Sequence, residues 1–135
     1  MPSPITDEDQ ELIVRATEVI AAHGEFEREI HTVGAAVRDQ HDQIFVGVNL
    51  YHFTGGPCAE LVALASARAA GAADLATIVA VGSGGRGVMA PCGRDRQVFM
   101  DYYPNLRVIV PTLLGPQVFS PSELLPLSYL QPTDD

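Results

Sequence analysis

The chain has 135 residues, enough for one compact domain spanning 1–135 with one core, and 47% of them are hydrophobic against 19% charged, well away from the composition of a disordered segment. Eight basic against seventeen acidic residues leave a net charge of −9, so no diffuse basic surface is expected for a nucleic acid polymer or an anionic membrane. Two cysteines, Cys58 and Cys92, are too few for the disulfide framework of a small secreted domain.

The start, Thr6-Asp7-Glu8-Asp9, is acidic and lacks the basic and apolar regions of a signal peptide, and no apolar run approaches the roughly 20 residues that span a bilayer. A cytoplasmic protein with reduced thiols is the expectation. Thr6 is placed to cap a helix in which Leu12, Ile13, Ala16, Val19 and Ile20 recur at helical spacing until Gly24. The β-branched runs Ile30 to Val37 and Gln43 to Leu50, joined by the polar Arg38 to Asp42, predict an antiparallel pair. A loop through Gly55-Gly56-Pro57 leads into an alanine-rich helix from Cys58 to Ala70.

Thr77 to Val81 predicts a third strand, and the glycine-rich Gly82 to Gly87 a loop ending at Pro91. No Gly-Lys-Ser/Thr follows, so a phosphate-binding P-loop is excluded. A helix is predicted from Gly93 to about Tyr102, a fourth strand over Arg107 to Val110, a short fifth over Gln117 to Phe119, and a helical turn over Ser122 to Leu125. This order predicts an α/β fold with a central mixed five-stranded sheet and helices on both faces.

Each cysteine opens a helix directly after a loop, as Cys58-Ala59-Glu60 and Pro91-Cys92-Gly93-Arg94-Asp95. A helix N-terminus favours a thiolate, and hence metal ligation. A cysteine, a glutamate two residues on, and a Pro-Cys-x-x segment about 30 residues later follow the zinc deaminase signature closely. Glu60, in the open first turn beside Cys58, can share a pocket with it and serve as the proton carrier. Asp95 has two readings: a metal ligand with the reach and charge of a thiolate, or an ordinary acidic residue of a first helical turn. Arg94 and Arg96 can offset ligand charge or form ion pairs between subunits, and both roles stay open.

The run from Gly47 to Leu61, Gly-Val-Asn-Leu-Tyr-His-Phe-Thr-Gly-Gly-Pro-Cys-Ala-Glu-Leu, with Arg86-Gly87 and Pro91 to Gln97, resembles the blasticidin-S deaminase branch of the cytidine deaminase superfamily. The likeness covers about Ile30 to Val110. It implies a cytidine-deaminase-like three-layer fold, a homotetramer, and zinc-dependent hydrolytic loss of the 4-amino group from a cytosine nucleoside or analogue. By that match Cys58, Cys92 and Asp95 are the zinc ligands, with Asp95 in the place of a third cysteine. Glu60 is then the catalytic residue, and Asn49, Tyr51, Phe53, Arg86 and Tyr129 face the substrate. Asn49-Leu50-Tyr51 stands where ordinary cytidine deaminases carry Asn-x-Glu, and Gln131 stands near a tryptophan of relatives. Antibiotic detoxification, another aminated ring, and metal-free pyrimidine binding without turnover remain alternatives on these residues.

Overall fold

In the computed structural model, which describes residues 2–25, 27–130 and 132, the chain begins with β1 (Ser3–Pro4), α1 (Asp7–His23), β2 (Val33–Asp39) and β3 (Ile44–Val48). It continues through α2 (Ala59–Ala69), β4 (Leu75–Gly82), β5 (Gly87–Met89), α3 (Gly93–Tyr102), β6 (Arg107–Thr112), β7 (Gly115–Phe119) and α4 (Pro121–Leu124). Gln131 lies outside the described residues.

Thr6 caps α1 as its sequence predicts. Its hydroxyl accepts from the Asp9 amide at 3.1 Å and the Asp9 carboxylate accepts from the Thr6 amide at 2.9 Å, closing a reciprocal capping box. Gly24 ends the helix with φ −70°, outside the left-handed region. It is glycine for lack of space, since a Cβ there would stand 2.5 Å from the Ile20 carbonyl oxygen.

Successive strand residues point to opposite faces, which divides the core in two. Ala35, Val37, Ile78, Ala80, Val108 and Val110 pack with Ala59, Ala63, Ala67 and Phe99 from α2 and α3. Ala36, Val79, Val81, Ile109 and Val118 pack with Leu12 and Ala16 from α1. The sheet is the middle of three layers. Two glycines set how closely the outer layers approach it: a Cβ on Gly34 would meet the Ala16 carbonyl oxygen at 2.7 Å, and one on Gly47 the Ala63 nitrogen at 2.6 Å.

The sheet order is β1-β7-β6-β4-β2-β3, with β5 paired to β4. β4 runs parallel to β6 through Thr77 and Ile78, then leaves it and pairs antiparallel with β5 through Ala80, Val81 and Gly82. Among the described residues seven strands therefore stand where five were expected. The additional two are short: Ser3–Pro4 is held only by β7, and Gly87–Met89 lies at the end of a glycine-rich run whose composition reads as loop. Both owe their form to a neighbouring strand rather than to local pattern.

Arg107 fastens β6 to α1. Its guanidinium donates to both oxygens of Asp9 at 2.7 and 2.8 Å and to Thr77 Oγ1 at 2.9 Å. Burial alone raises the pKa of Asp9, but hydrogen bonds from Arg107 and Thr6 and the Arg107 charge outweigh it, so the carboxyl lies below its ordinary value.

Candidate active site

Cys58 and Cys92 are the N-cap residues of α2 and α3, both in extended backbone conformation. Cys58 makes no capping bond through its side chain, so its sulfur is directed to other partners. Its Sγ lies 3.3 Å from Cys92 Sγ. Cys92 closes a second capping box: its sulfur accepts from the Asp95 amide at 3.5 Å, and Asp95 Oδ2 accepts from the Cys92 amide at 3.2 Å. One ligand atom each from Cys58, Cys92 and Asp95 falls within 4.8 Å of the others. Both readings of Asp95 are thus physically compatible, because capping occupies one carboxylate oxygen. The other, Oδ1, is buried without a hydrogen-bond partner among the described residues.

Glu60 projects from the first turn of α2 and is 5% exposed, and Asp95 is 1% exposed. Burial first, then the negative charge of Asp95, pushes the Glu60 carboxyl up to about 8. Direct interaction with the Asp95 carboxyl raises it further. The Cys58 thiol is pushed up to about 12 by burial first, then by its bond with Cys92 and the charge of Asp95. The thiolate expected from the helix N-terminus is therefore not favoured by the protein groups alone: desolvation and acidic neighbours outweigh the macrodipole. Two thiols and the Asp95 carboxyl, one of whose oxygens is the buried orphan, form a donor set whose chemistry fits a divalent metal such as zinc.

A cavity of about 260 Å³ opens beside this cluster, with Cys58, Glu60, Cys92 and Asp95 in its wall together with Asn49 and Tyr51. Val33, Ala80 and Met89 supply apolar lining that the sequence did not mark, since Val33 and Ala80 read as strand core and Met89 as part of a loop. Asn49 Oδ1 accepts from the amides of Thr32 and Val33 at 2.7 and 2.9 Å, which ties the loop to the start of β2. Its oxygen is thereby committed to backbone.

Three of the residues expected near substrate are not in that wall. Phe53 is 85% exposed and Tyr129 is 72% exposed. Arg86 lines a neighbouring cleft with Arg28, Glu29, Thr32 and Ser83, and Tyr51 borders both spaces. The Arg86 guanidinium donates to the Ser83 and Thr32 carbonyls at 3.0 and 2.7 Å.

No family model matches the chain. It is 35% identical to the blasticidin-S deaminase of Bacillus cereus, over 93% of this chain and 94% of that one. Among solved structures, cytidine deaminase from Mycobacterium leprae matches with a TM-score of 0.72 at 26% identity, over 87% of this chain and 96% of the other. Cytidine deaminase from Burkholderia pseudomallei matches with a TM-score of 0.71 at 32% identity, over 89% and 98%. The chain belongs to the cytidine deaminase superfamily and is a deaminase, a hydrolase acting on C–N bonds. Within that class it is a homologue of blasticidin-S deaminase.

Proposed function

We propose that this deaminase is zinc-dependent and removes the 4-amino group of a cytosine nucleoside or nucleoside analogue, leaving the uracil form and ammonia. The observation that carries the reading is the convergence of Cys58, Cys92 and Asp95 beside the buried Glu60 in one cavity wall. Cys58 Sγ, Cys92 Sγ and the orphan Asp95 Oδ1 would hold the metal, with Asp95 Oδ2 keeping its capping bond. When bound, zinc acts as a Lewis acid and makes water acidic near neutral pH.

The chain's own groups do the remainder. Ionised Glu60 accepts a proton from water and delivers it to the ring nitrogen. It then takes up the second proton of that water, from the hydroxyl now on C4, and delivers it to the departing amine, which leaves as ammonia while the C4 carbonyl forms. Asn49, its oxygen committed to Thr32 and Val33 and its amide nitrogen donating to Thr32 Oγ1 at 3.5 Å, has one amide N–H left to offer a ligand. Tyr51 stands at the mouth, where a nucleoside carries its sugar or sugar-like part. Phe53, Arg86 and Tyr129 would meet the substrate only at its outer end or across a subunit contact. Among the described residues, Leu113, Leu114, Leu127, Tyr129 and Leu130 are exposed apolar side chains, which supports a homo-oligomer, taken as a tetramer. No helix is long and apolar enough to cross a membrane among the described residues, and the working location is taken as the cytoplasm.

Elemental analysis of protein purified without chelators, with ultraviolet assays of cytidine, deoxycytidine, cytosine and blasticidin S, tests the reading. About one zinc per chain and loss of the cytosine absorbance with at least one nucleoside are expected. Metal far below one per chain, with no ammonia from any of the four, would favour pyrimidine binding without turnover. Turnover of free cytosine alone would remove the nucleoside part of the proposal.

A further inference from the structure

Cys58 and Cys92 are the two cysteines of the chain, so one intramolecular disulfide is chemically possible. They stand 34 positions apart, yet the fold brings Cys58 Sγ to 3.3 Å from Cys92 Sγ. A disulfide bond measures about 2.05 Å, so closure asks the two sulfurs to approach by about 1.3 Å in all. The third member of the cluster, Asp95, is a carboxylate and cannot join a disulfide. A cysteine in its place would allow competing pairings; with aspartate there, a single pairing remains.

The sulfurs are also the parts of these residues on which the fold depends least. The Cys58 carbonyl accepts from the Leu61 and Val62 amides at 3.1 and 3.2 Å and so starts α2, while its side chain makes no capping bond. At α3 the Cys92 carbonyl accepts from the Arg96 amide at 3.0 Å, and Asp95 Oδ2 accepts from the Cys92 amide at 3.2 Å. The Cys92 sulfur adds only the 3.5 Å bond from the Asp95 amide. Oxidation of the sulfurs therefore leaves both helix starts in place. Cys92 is exposed and Cys58 half-buried, and both stand in the wall of the open cavity, so a small oxidant meets Cys92 first with Cys58 within reach of it.

We propose that Cys58 and Cys92 are a thiol–disulfide pair through which a peroxide reversibly disables the metal centre, the disulfide and the bound metal being exclusive states of the same two sulfurs. The proposal rests on the metal-centre reading above. The Cys92 sulfur attacks the peroxide and the O–O bond breaks; one oxygen stays on sulfur as a sulfenic acid, and the other leaves as water with the thiol proton. The Cys58 sulfur then attacks Cys92 Sγ. The S–S bond forms, the S–O bond breaks, and hydroxide leaves with the Cys58 proton as a second water. The two thiols lose two electrons, which the peroxide gains. Disulfide sulfurs carry no thiolate charge, so Asp95 is left as the one ligand and cannot hold the metal by itself. A dithiol reductant returns both thiols by exchange.

The test treats the reduced, full-length protein with hydrogen peroxide, once stripped of metal with a chelator and once loaded with zinc. Intact mass should fall by about two daltons, the two thiol hydrogens, and peptide mapping should recover the Cys58–Cys92 link within one chain. In the zinc-loaded sample a chromophoric indicator should register one zinc released per disulfide formed. The oxidised protein should take up none until dithiothreitol restores both thiols. Cys92→Ser under the same treatment should not lose the two hydrogens. Gain of whole oxygens without an internal link, a disulfide between chains, or oxidised protein that binds zinc as the reduced form does overturns the proposal. Reduced protein that binds no zinc overturns the metal centre and the exclusivity with it, whereas zinc binding without disulfide formation overturns the pair alone.

Discussion

Asp9 and Asp95 occupy the same local position, the third residue of a helix whose N-cap returns the bond, and both are buried, at 2% and 1% exposure. Asp9 has each oxygen matched by a guanidinium nitrogen, and one of them also by the Thr6 amide. Asp95 has one oxygen matched by the Cys92 amide and the other without a hydrogen-bond partner among the described residues, in a wall that already contains Glu60 and two sulfurs. An identical capping device is thus completed by the protein in one helix and left incomplete in the other. A buried carboxylate oxygen left without a partner costs free energy. Its place beside two thiols sets α3 apart as the helix proposed to serve chemistry, while α1 serves the fold.

The largest effects should come from the α3 side. Glu60→Gln removes the proton carrier while keeping shape, and turnover should fall by about a hundredfold to ten-thousandfold. Metal content, by elemental analysis, should remain that of wild type; retention of more than a few per cent of activity would defeat the assignment of Glu60. Asp95→Ala should next reduce zinc affinity by at least about a hundredfold, because a direct ligand is lost rather than an outer partner. Asp95→Cys should restore and exceed wild-type affinity, since a soft thiolate replaces a harder carboxylate. Chelator competition reads both, and an alanine variant that holds zinc as wild type does would reduce Asp95 to a helix cap.

The two aspartates should also differ in sign when stability is measured without metal. Asp9→Asn breaks a bidentate pair whose arginine is 40% exposed at its side chain, so the loss is about 2 kcal/mol, below that of a fully buried pair. Asp95→Asn keeps an oxygen to accept from the Cys92 amide and removes a buried charge crowded by acids, which should stabilise the metal-free protein by about 1 kcal/mol. Denaturant titration with chelator present separates them. Two variants destabilised equally would mean that Asp95 is as well satisfied as Asp9, and the contrast between the helices would be lost.

That contrast was only half legible in the sequence. Cys58, Glu60 and Cys92 stood out because each sits at a helix start that Gly, Pro and the ensuing alanine-rich or polar runs announce. The longer strands and both long helices followed from hydrophobic period, since β2, β4 and β6 bury alternate residues on two faces. β1 and β5 did not, because two or three residues carry no period and depend on the strand they pair with. Neither did the orphan Oδ1 of Asp95 or the reach of Arg94 to Gly56, which arise where segments distant in sequence meet. The capping role of Thr6 was readable in sequence, yet the partner that completes Asp9, Arg107, lies 98 residues away.

The smallest expected effect is a pH dependence that isolates the α1 side. Asp9 has a folded pKa below its ordinary 3.8, so above that value the folded state binds fewer protons at this site than the unfolded chain would on acidification. The stability it contributes is therefore fully present above about pH 5 and is lost as pH falls through the folded pKa. Asp9→Asn has no such proton to take up. Between about pH 5 and about pH 3, wild type should lose more of its denaturant midpoint than Asp9→Asn loses, the two curves converging toward the acid end. Parallel curves would show that neither the Arg107 pair nor the Thr6 cap favours the ionised Asp9 carboxylate in the folded protein.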